Sequence, residues 1–265
     1  MDIEQSNWAN RSSIADVGEY FGLGADALVP LYEELLADTE LVDMANEQFA
    51  VGRLKGFTRG IFGKPDVDSV DWFGFERILM YVLVRHFRPE SVWETGVYYG
   101  GNSLFILRAL QKNRSGKLIS AELPATAVPS GTKRHPWVLD SEDYDTTALE
   151  PGFLVPPVLR ELWDLRLGSS LDLIPDFPGP CDLYLHDSDH SMEFLRQELS
   201  LVGPRMADDG IVVVDDIDWS NAFFEFAVQQ RLRPLLLTDN GKDELRVRTG
   251  VAWMGNPLNR DESFT

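Results

Sequence analysis

The sequence predicts an α/β protein: a doubly wound, mostly parallel sheet of seven strands with an antiparallel hairpin at one edge, preceded by a helical extension. Three observations carry this expectation. Short apolar runs of strand length recur from residue 91 onward, and helical segments separate most of them. Two of the runs end in clustered acids, LHDSDH at 185–190 and IVVVDD at 211–216. In a parallel sheet of this kind the carboxyl ends of the strands border the ligand crevice, so both clusters face one site.

The elements follow in order. Residues 25–50 carry Leu28, Leu31, Leu35, Leu41 and Met44 at helical spacing, with Pro30 near the start, where a helix tolerates it. The glycine-punctuated stretch 51–71 reads as loop. A helix is predicted over 72–87, with Ile78, Leu79, Val82 and Leu83 on one face and Pro89 just beyond its end. Residues 1–70 thus form an N-terminal helical extension, and 71–265 the main domain. Strands are predicted at 91–96, 117–123, 163–168, 182–187, 211–216, 234–239 and 246–254, and helices at 103–112, 191–202 and 221–231. In the helix after LHDSDH, the spacing of Met192, Leu195, Leu199 and Val202 marks the face packed on the sheet. The last two strands have no helix between them, which predicts the edge hairpin. Residues 124–153 break the alternation with four prolines and two glycines. Lying after the second strand, they read either as a lid carrying Trp137 and Tyr144 or as a surface insertion.

Composition narrows the partners. A formal net charge of −19 over 265 residues repels phosphate backbones and anionic membrane surfaces, so neither nucleic acid nor membrane is expected. The longest clean apolar run, ILMYVLV at 78–84, is far short of the roughly 20 residues of a membrane span. The single cysteine, Cys181, permits no intramolecular disulfide and reads as a small packed hydrophobe. MDIEQSNWAN has neither the basic nor the apolar region of a secretion signal, and a cytoplasmic location is expected. Apolar residues of the extension suit either a cover over the site or a homo-oligomer contact.

The stretch WETGVYYGGNSLFIL (93–107) ends a strand, turns on Gly96, Gly100 and Gly101, and opens a helix with Asn102 or Ser103 as N-cap. About 20 residues past the last glycine the second strand ends in Glu122, where Rossmann-like folds place a carboxylate on ribose hydroxyls. The spacing G-x-x-x-G-G is not the NAD fingerprint G-x-G-x-x-G. With Glu94 before the first glycine, the turn resembles the first motif of the class I S-adenosylmethionine-dependent methyltransferases. The resemblance implies that Glu94, Gly96, Gly100, Gly101 and Ser103 surround the methionine end of the cofactor, that Glu122 takes the ribose, and that Ser169, after the third strand, lies near the adenine. Read without it, Glu94 is a helix-capping or sheet-edge carboxylate and Ser169 a helix N-cap.

Asp187 ends the fourth strand, and Asp215 and Asp216 end the fifth. Carboxylates crowded together raise one another's pKa values unless a cation offsets them, and a hard divalent ion such as Mg²⁺ is the economical answer. D-x-x-H followed by an acidic pair resembles the metal-dependent O-methyltransferases, above all the macrocin-type sugar O-methyltransferases and the cephalosporin-hydroxylase-like group, over roughly residues 72–254. The resemblance implies metal ligation by Asp187, Asp215 and Asp216, with Asp187 also at the cofactor and in catalysis. It makes His190 the general base toward a hydroxyl of a small molecule, a natural product or sugar. Ser191 and Met192 stand where many relatives have a tyrosine. The N-P-P-Y or D-P-P-Y motif of enzymes acting on nucleic-acid amines is absent. The residues alone leave alternatives: Ser188 or Asp189 capping the next helix, His186 as a packed core residue, and a site used for metal-free N-methylation or for cofactor binding without catalysis.

Overall fold

The computed structural model describes residues 3–54, 68, 70, 74–124, 150–238 and 247–257. Its strands are β1 (Ser91–Thr95), β2 (Lys117–Glu122), β3 (Trp163–Leu167), β4 (Cys181–His186), β5 (Met206–Val214), β6 (Leu232–Thr238) and β7 (Val247–Pro257). They form one sheet in the order β3-β2-β1-β4-β5-β7-β6. The pairs among β1 to β5 are parallel, while β7 runs antiparallel to both β5 and β6. The sheet is therefore the predicted one. The direction of winding reverses between β1 and β4, the point where such sheets open a crevice.

Side-chain alternation along the central strands sorts the core into two layers. Val92 of β1, Leu183 and Leu185 of β4, and Ile211 and Val213 of β5 face one layer. Trp93, Tyr184, Val212 and Val214 face the other. Helices α4 (Phe75–Phe87) and α5 (Gly101–Asn113) cover the first. The short α6 (Ser170–Leu173), α7 (Met192–Val202) and α8 (Ala222–Gln229) cover the second. Residues 183–186 of β4 and 210–214 of β5 are buried on both faces, which explains their apolar runs. Cys181 is buried and free.

The N-terminal part holds α1 (Ile3–Tyr20), α2 (Val29–Leu36) and α3 (Thr39–Leu54). The continuous periodicity of 25–50 is broken at Ala37-Asp38, where Asp38 Oδ1 accepts the Leu41 amide at 3.1 Å and starts a new helix. The helix expected from residue 72 begins at Phe75, behind Gly74. Loop expected at 51–71 is helix up to Leu54, and most of the remainder lies outside the described residues, as does most of 124–153 with His135, Trp137 and Tyr144. Ile14, Val17, Phe21, Leu28, Tyr32 and Phe49 share a single apolar cluster with α4, α5 and the sheet. The Tyr20 hydroxyl donates to the Arg233 carbonyl at 2.7 Å and accepts the Trp253 amide at 3.0 Å, fastening α1 across β6 and β7. Among the described residues no helix is long and apolar enough to cross a membrane.

Ion pairs join the N-terminal helices to α4 and α5. Glu34 accepts Arg85 Nε and Nη2, each at 2.9 Å, and Asp38 accepts Arg108 Nε and Nη2, also at 2.9 Å. Lys112 Nζ lies 2.9 Å from Asp38. The Arg85 hydrogen bonds hold Glu34 down to about 2. Burial pushes Asp38 up, but the Arg108 and Lys112 bonds outweigh it and leave it below its ordinary value. Both folded-state values are depressed, so this stabilisation is complete above the unfolded carboxylate range and is lost as pH falls toward 2. With Glu34 about a third exposed and screened, we expect roughly 1–2 kcal/mol to disappear between neutral pH and pH 3. Urea unfolding at the two pH values measures it. An unchanged pH dependence in a Glu34→Gln, Asp38→Asn double variant would rule the assignment out.

Candidate active site

The strand ends at the carboxyl edge are laced together through backbone. Gly96 donates its amide to the Ala121 carbonyl at 3.1 Å, Asp187 to Thr95 at 2.9 Å, and Asp215 to His186 at 3.0 Å. Gly96 has φ +85°, and a Cβ there would stand 1.9 Å from the Asp187 carbonyl oxygen. The glycine is needed first by the neighbouring chain: only a residue without a side chain lets the turn after β1 touch the turn after β4. Gly100, at φ +88°, is the N-cap of α5, and its missing side chain admits Gly152. The side chain of Arg77 packs on Gly101.

Glu122 secures this turn from the side. Its Oε2 accepts the amides of Val97 at 2.7 Å and Tyr98 at 2.6 Å, and its Oε1 that of Leu123 at 2.7 Å. Glu94 lies fully buried. Its Oε2 accepts the hydroxyls of Ser103 and Ser120, each at 2.7 Å, while Oε1 has no partner. Burial pushes Glu94 up to about 7. Glu94 therefore caps no helix by itself; it braces α5 against β2 and keeps one oxygen unused. The N-cap expected at Asn102 or Ser103 is Gly100 instead, and both side chains point to carboxylates. Ser169 is the N-cap of α6 and makes no side-chain capping bond; its carbonyl accepts the Asp172 and Leu173 amides.

The acids converge, though not as the expected trio. Glu76, Asp187 and Asp215 each offer an oxygen within 4.8 Å of the others. Asn102 Nδ2 bridges the first two, donating to Glu76 Oε1 and Asp187 Oδ2 at 2.9 Å each. Burial and then the neighbouring carboxylates raise Glu76 and Asp187 well above the usual carboxylate range. Burial and the charge of Asp216 push Asp215 up to about 6. Asp216 is paired with Arg248. It sits in the left-handed region at φ +50°, and its Oδ1 accepts Arg248 Nε at 2.7 Å. Of the expected ligands, Asp187 and Asp215 lie in this cluster together with Glu76, which was not expected, while Asp216 is paired with Arg248 of β7.

His190 Nε2 stands 3.8 Å from Asp187 Oδ1 and 3.7 Å from Asp216 Oδ2. Its ring lies 5.5 Å from that of Trp219, and burial, reinforced by His186, lowers its pKa to about 4. The imidazole is therefore neutral near pH 7. Asp189 Oδ1 accepts the Ser191 amide at 2.8 Å, in a turn just ahead of α7, whose N-cap is Ser191. Met192 is exposed rather than packed on the sheet, and Asn221 is exposed at the N-cap of α8. His186 is buried as expected, yet it is a polar partner: its Nδ1 lies 2.5 Å from Glu198 Oε2.

Residues 93–217, from β1 to just beyond β5, match the family model described as a methyltransferase domain. Solved structures agree in fold. Rv0187 from MTB, determined with cofactor bound, is 13% identical, with 79% of this chain and 90% of that one covered at a TM-score of 0.54. The O-methyltransferase TomG from Streptomyces achromogenes, involved in tomaymycin synthesis and solved with SAM, is 16% identical over 95% and 99% of the two chains, with a TM-score of 0.53. An O-methyltransferase from Bacillus cereus, solved with SAH, is 14% identical over 84% and 99%, with a TM-score of 0.51. No curated protein gives a significant match.

Proposed function

We propose that this chain, whose residues 93–217 match a methyltransferase-domain model, transfers a methyl group from S-adenosylmethionine to a hydroxyl of a small molecule with the help of a divalent cation. The observation that carries this reading is the convergence of Glu76, Asp187 and Asp215 within 4.8 Å, beside a neutral histidine. Three hard oxygen donors whose pKa values are raised by burial and mutual repulsion suit Mg²⁺ or a similar ion. The unpartnered Glu94 Oε1, the glycine turn and Glu122 suit S-adenosylmethionine, whose ammonium group would supply the missing donor. The SAM and SAH complexes of the two O-methyltransferases above support the same choice.

When bound, the cofactor supplies an electrophilic methyl on sulfur and the cation lowers the pKa of an acceptor hydroxyl. The chain's own residues do the rest. Glu76, Asp187 and Asp215 would hold the cation, with Asn102 fixing the spacing of the first two. His190 Nε2, facing the acids, accepts the hydroxyl proton, a contribution typically of about 10²–10⁴ in rate. The laced strand ends keep the groups aligned. A chain of charge −19 favours a neutral or cationic acceptor over a polyanion, and a natural product or sugar answers that description.

Calorimetric titration with S-adenosylmethionine, with Mg²⁺ and after EDTA, followed by a screen of hydroxylated acceptors, tests the reading. Cofactor binding with chelator-sensitive turnover is expected. Turnover indifferent to EDTA would instead establish metal-free transfer, and NAD binding in place of S-adenosylmethionine would overturn the assignment.

A further inference from the structure

The side-chain amide of Asn102 is only half used. The residue lies in the first turn of α5 and is 3% exposed. Its Nδ2 donates into the acid cluster, to Glu76 Oε1 and Asp187 Oδ2 at 2.9 Å each. Its Oδ1 is buried as well and has no hydrogen-bond partner among the described residues. Buried polar atoms are normally paired, so an orphan oxygen on the group that faces the acids calls for an explanation. The helical turn itself is pinned. The next side chain, Ser103, donates to Glu94 at 2.7 Å, and Gly101 is packed under Arg77. The freedom left to Asn102 is rotation of the amide about its Cβ–Cγ bond, a torsion that is broad for asparagine.

That rotation exchanges the two ends of the amide. A half turn carries the carbonyl oxygen to where the amino group stands, between one oxygen of Glu76 and one of Asp187. Carboxylate oxygens only accept, so a carbonyl placed there is opposed in the ion-free chain. With a hard divalent ion among the oxygens the preference reverses. Cis ligands of an octahedral Mg²⁺ at roughly 2.0–2.1 Å stand about 2.9 Å apart. Nδ2 already has this spacing to both acids. The turn breaks no hydrogen bond of Oδ1, and the two carboxylates that lose the amino group gain the ion instead. We propose that Asn102 is a further oxygen ligand of the cation held by Glu76, Asp187 and Asp215: its amino group stands in for the ion in the free chain, and its carbonyl turns in when the ion enters. The inference rests on the cation site of the proposed function. It also joins that site to the cofactor turn, because Asn102 and the Ser103 that holds Glu94 are consecutive residues.

Ligation is readable without turnover. Mn²⁺ is the probe, a paramagnetic ion that takes the same carboxylate and carbonyl oxygens. Electron–nuclear double resonance of the full chain with ¹³C-labelled asparagine should show a resolved ¹³C coupling, since the carbon of a ligating carbonyl is one bond from the coordinating oxygen. Asn102→Ala should erase that coupling and weaken Mn²⁺ binding, measured by calorimetry, on the order of tenfold or more. Asn102→Asp keeps an oxygen but carries no label at 102. It should erase the coupling while binding Mn²⁺ at least as tightly, and it serves if the alanine variant does not fold. A residue that only hydrogen-bonds the ligands also costs affinity when removed, so the coupling is what separates the two roles. A Mn²⁺ site lost in Asp215→Asn yet showing no asparagine coupling in the wild type, or a coupling that survives in both Asn102 variants, would overturn the inference and leave the cation site standing. A wild type that binds no Mn²⁺ would overturn it together with the cation of the proposed function. Coupling lost with Asn102, in a chain that methylates no hydroxyl, would uphold the ligand and count against the proposed function.

Discussion

Glu76→Gln is expected to weaken divalent-cation binding by about 100-fold or more, because ligand charge count sets affinity at oxygen sites. The variant is close in shape and keeps an acceptor for Asn102, so its effect reads the charge. Thermal unfolding gives a signature that simple damage would not. At an ion concentration 100 times its dissociation constant the wild type gains about 2.7 kcal/mol, and a 100-fold weaker site gains about 0.4 kcal/mol. Without the ion the variant should be as stable as the wild type or more so, since one member of a repelling buried trio is gone. An Asp216→Asn variant is the contrast. With Arg248 as its partner, Asp216 should alter ion affinity much less. If Asp216→Asn abolished the ion-induced gain and Glu76→Gln left it intact, the cluster drawn here would be wrong.

Gly96→Ala is expected to cost about 2–5 kcal/mol, from an unfavourable left-handed backbone plus the overpacking of a Cβ against the Asp187 carbonyl. Gly22→Ala separates the two contributions. Gly22 also has positive φ, at +69°, but nothing lies within 4 Å of its Cβ position. Its cost should stay near 1–2 kcal/mol. Urea unfolding of both variants measures the difference, and equal losses would remove the steric argument. The clash also pushes directly on the turn that carries Asp187, so any Gly96→Ala protein that folds should lose ion binding as well.

Much of this site was legible because strand periodicity places chemistry at an edge. The apolar runs that become β4 and β5 are buried on both faces, so charges at their ends could only belong to the crevice. That logic stops at the strand. Glu76 stands in the first turn of α4, more than a hundred residues before Asp187, and no strand pattern points to it. The signal available was an acid beside Phe75 at the head of a helix whose residues 78–84 are all buried. Asp215 and Asp216 were not separable in sequence, because consecutive residues leave a strand in different directions and the arginine that pairs most closely with Asp216, Arg248, comes from β7. His186 looked like ordinary core for a similar reason. Its partner Glu198 shares the sheet-facing side of α7 with Leu195, Leu199 and Val202, and a charge on such a face implies a buried polar partner.

The insertion of β7 between β5 and β6 fixes an order of assembly. During translation β6 leaves the ribosome before the strand that joins it to the sheet, so it has no hydrogen-bonding neighbour until residues 247–257 follow. The Arg248 that neutralises Asp216, and the Trp253 amide that donates to the Tyr20 hydroxyl, arrive on that same strand. Helix α1 therefore waits for β7, some 230 residues later, before its hydroxyl clasp can close. Contacts of such sequence separation are slow to form, and a nascent chain stalled before β7 would expose both an unpaired strand edge and an acidic crevice without its arginine.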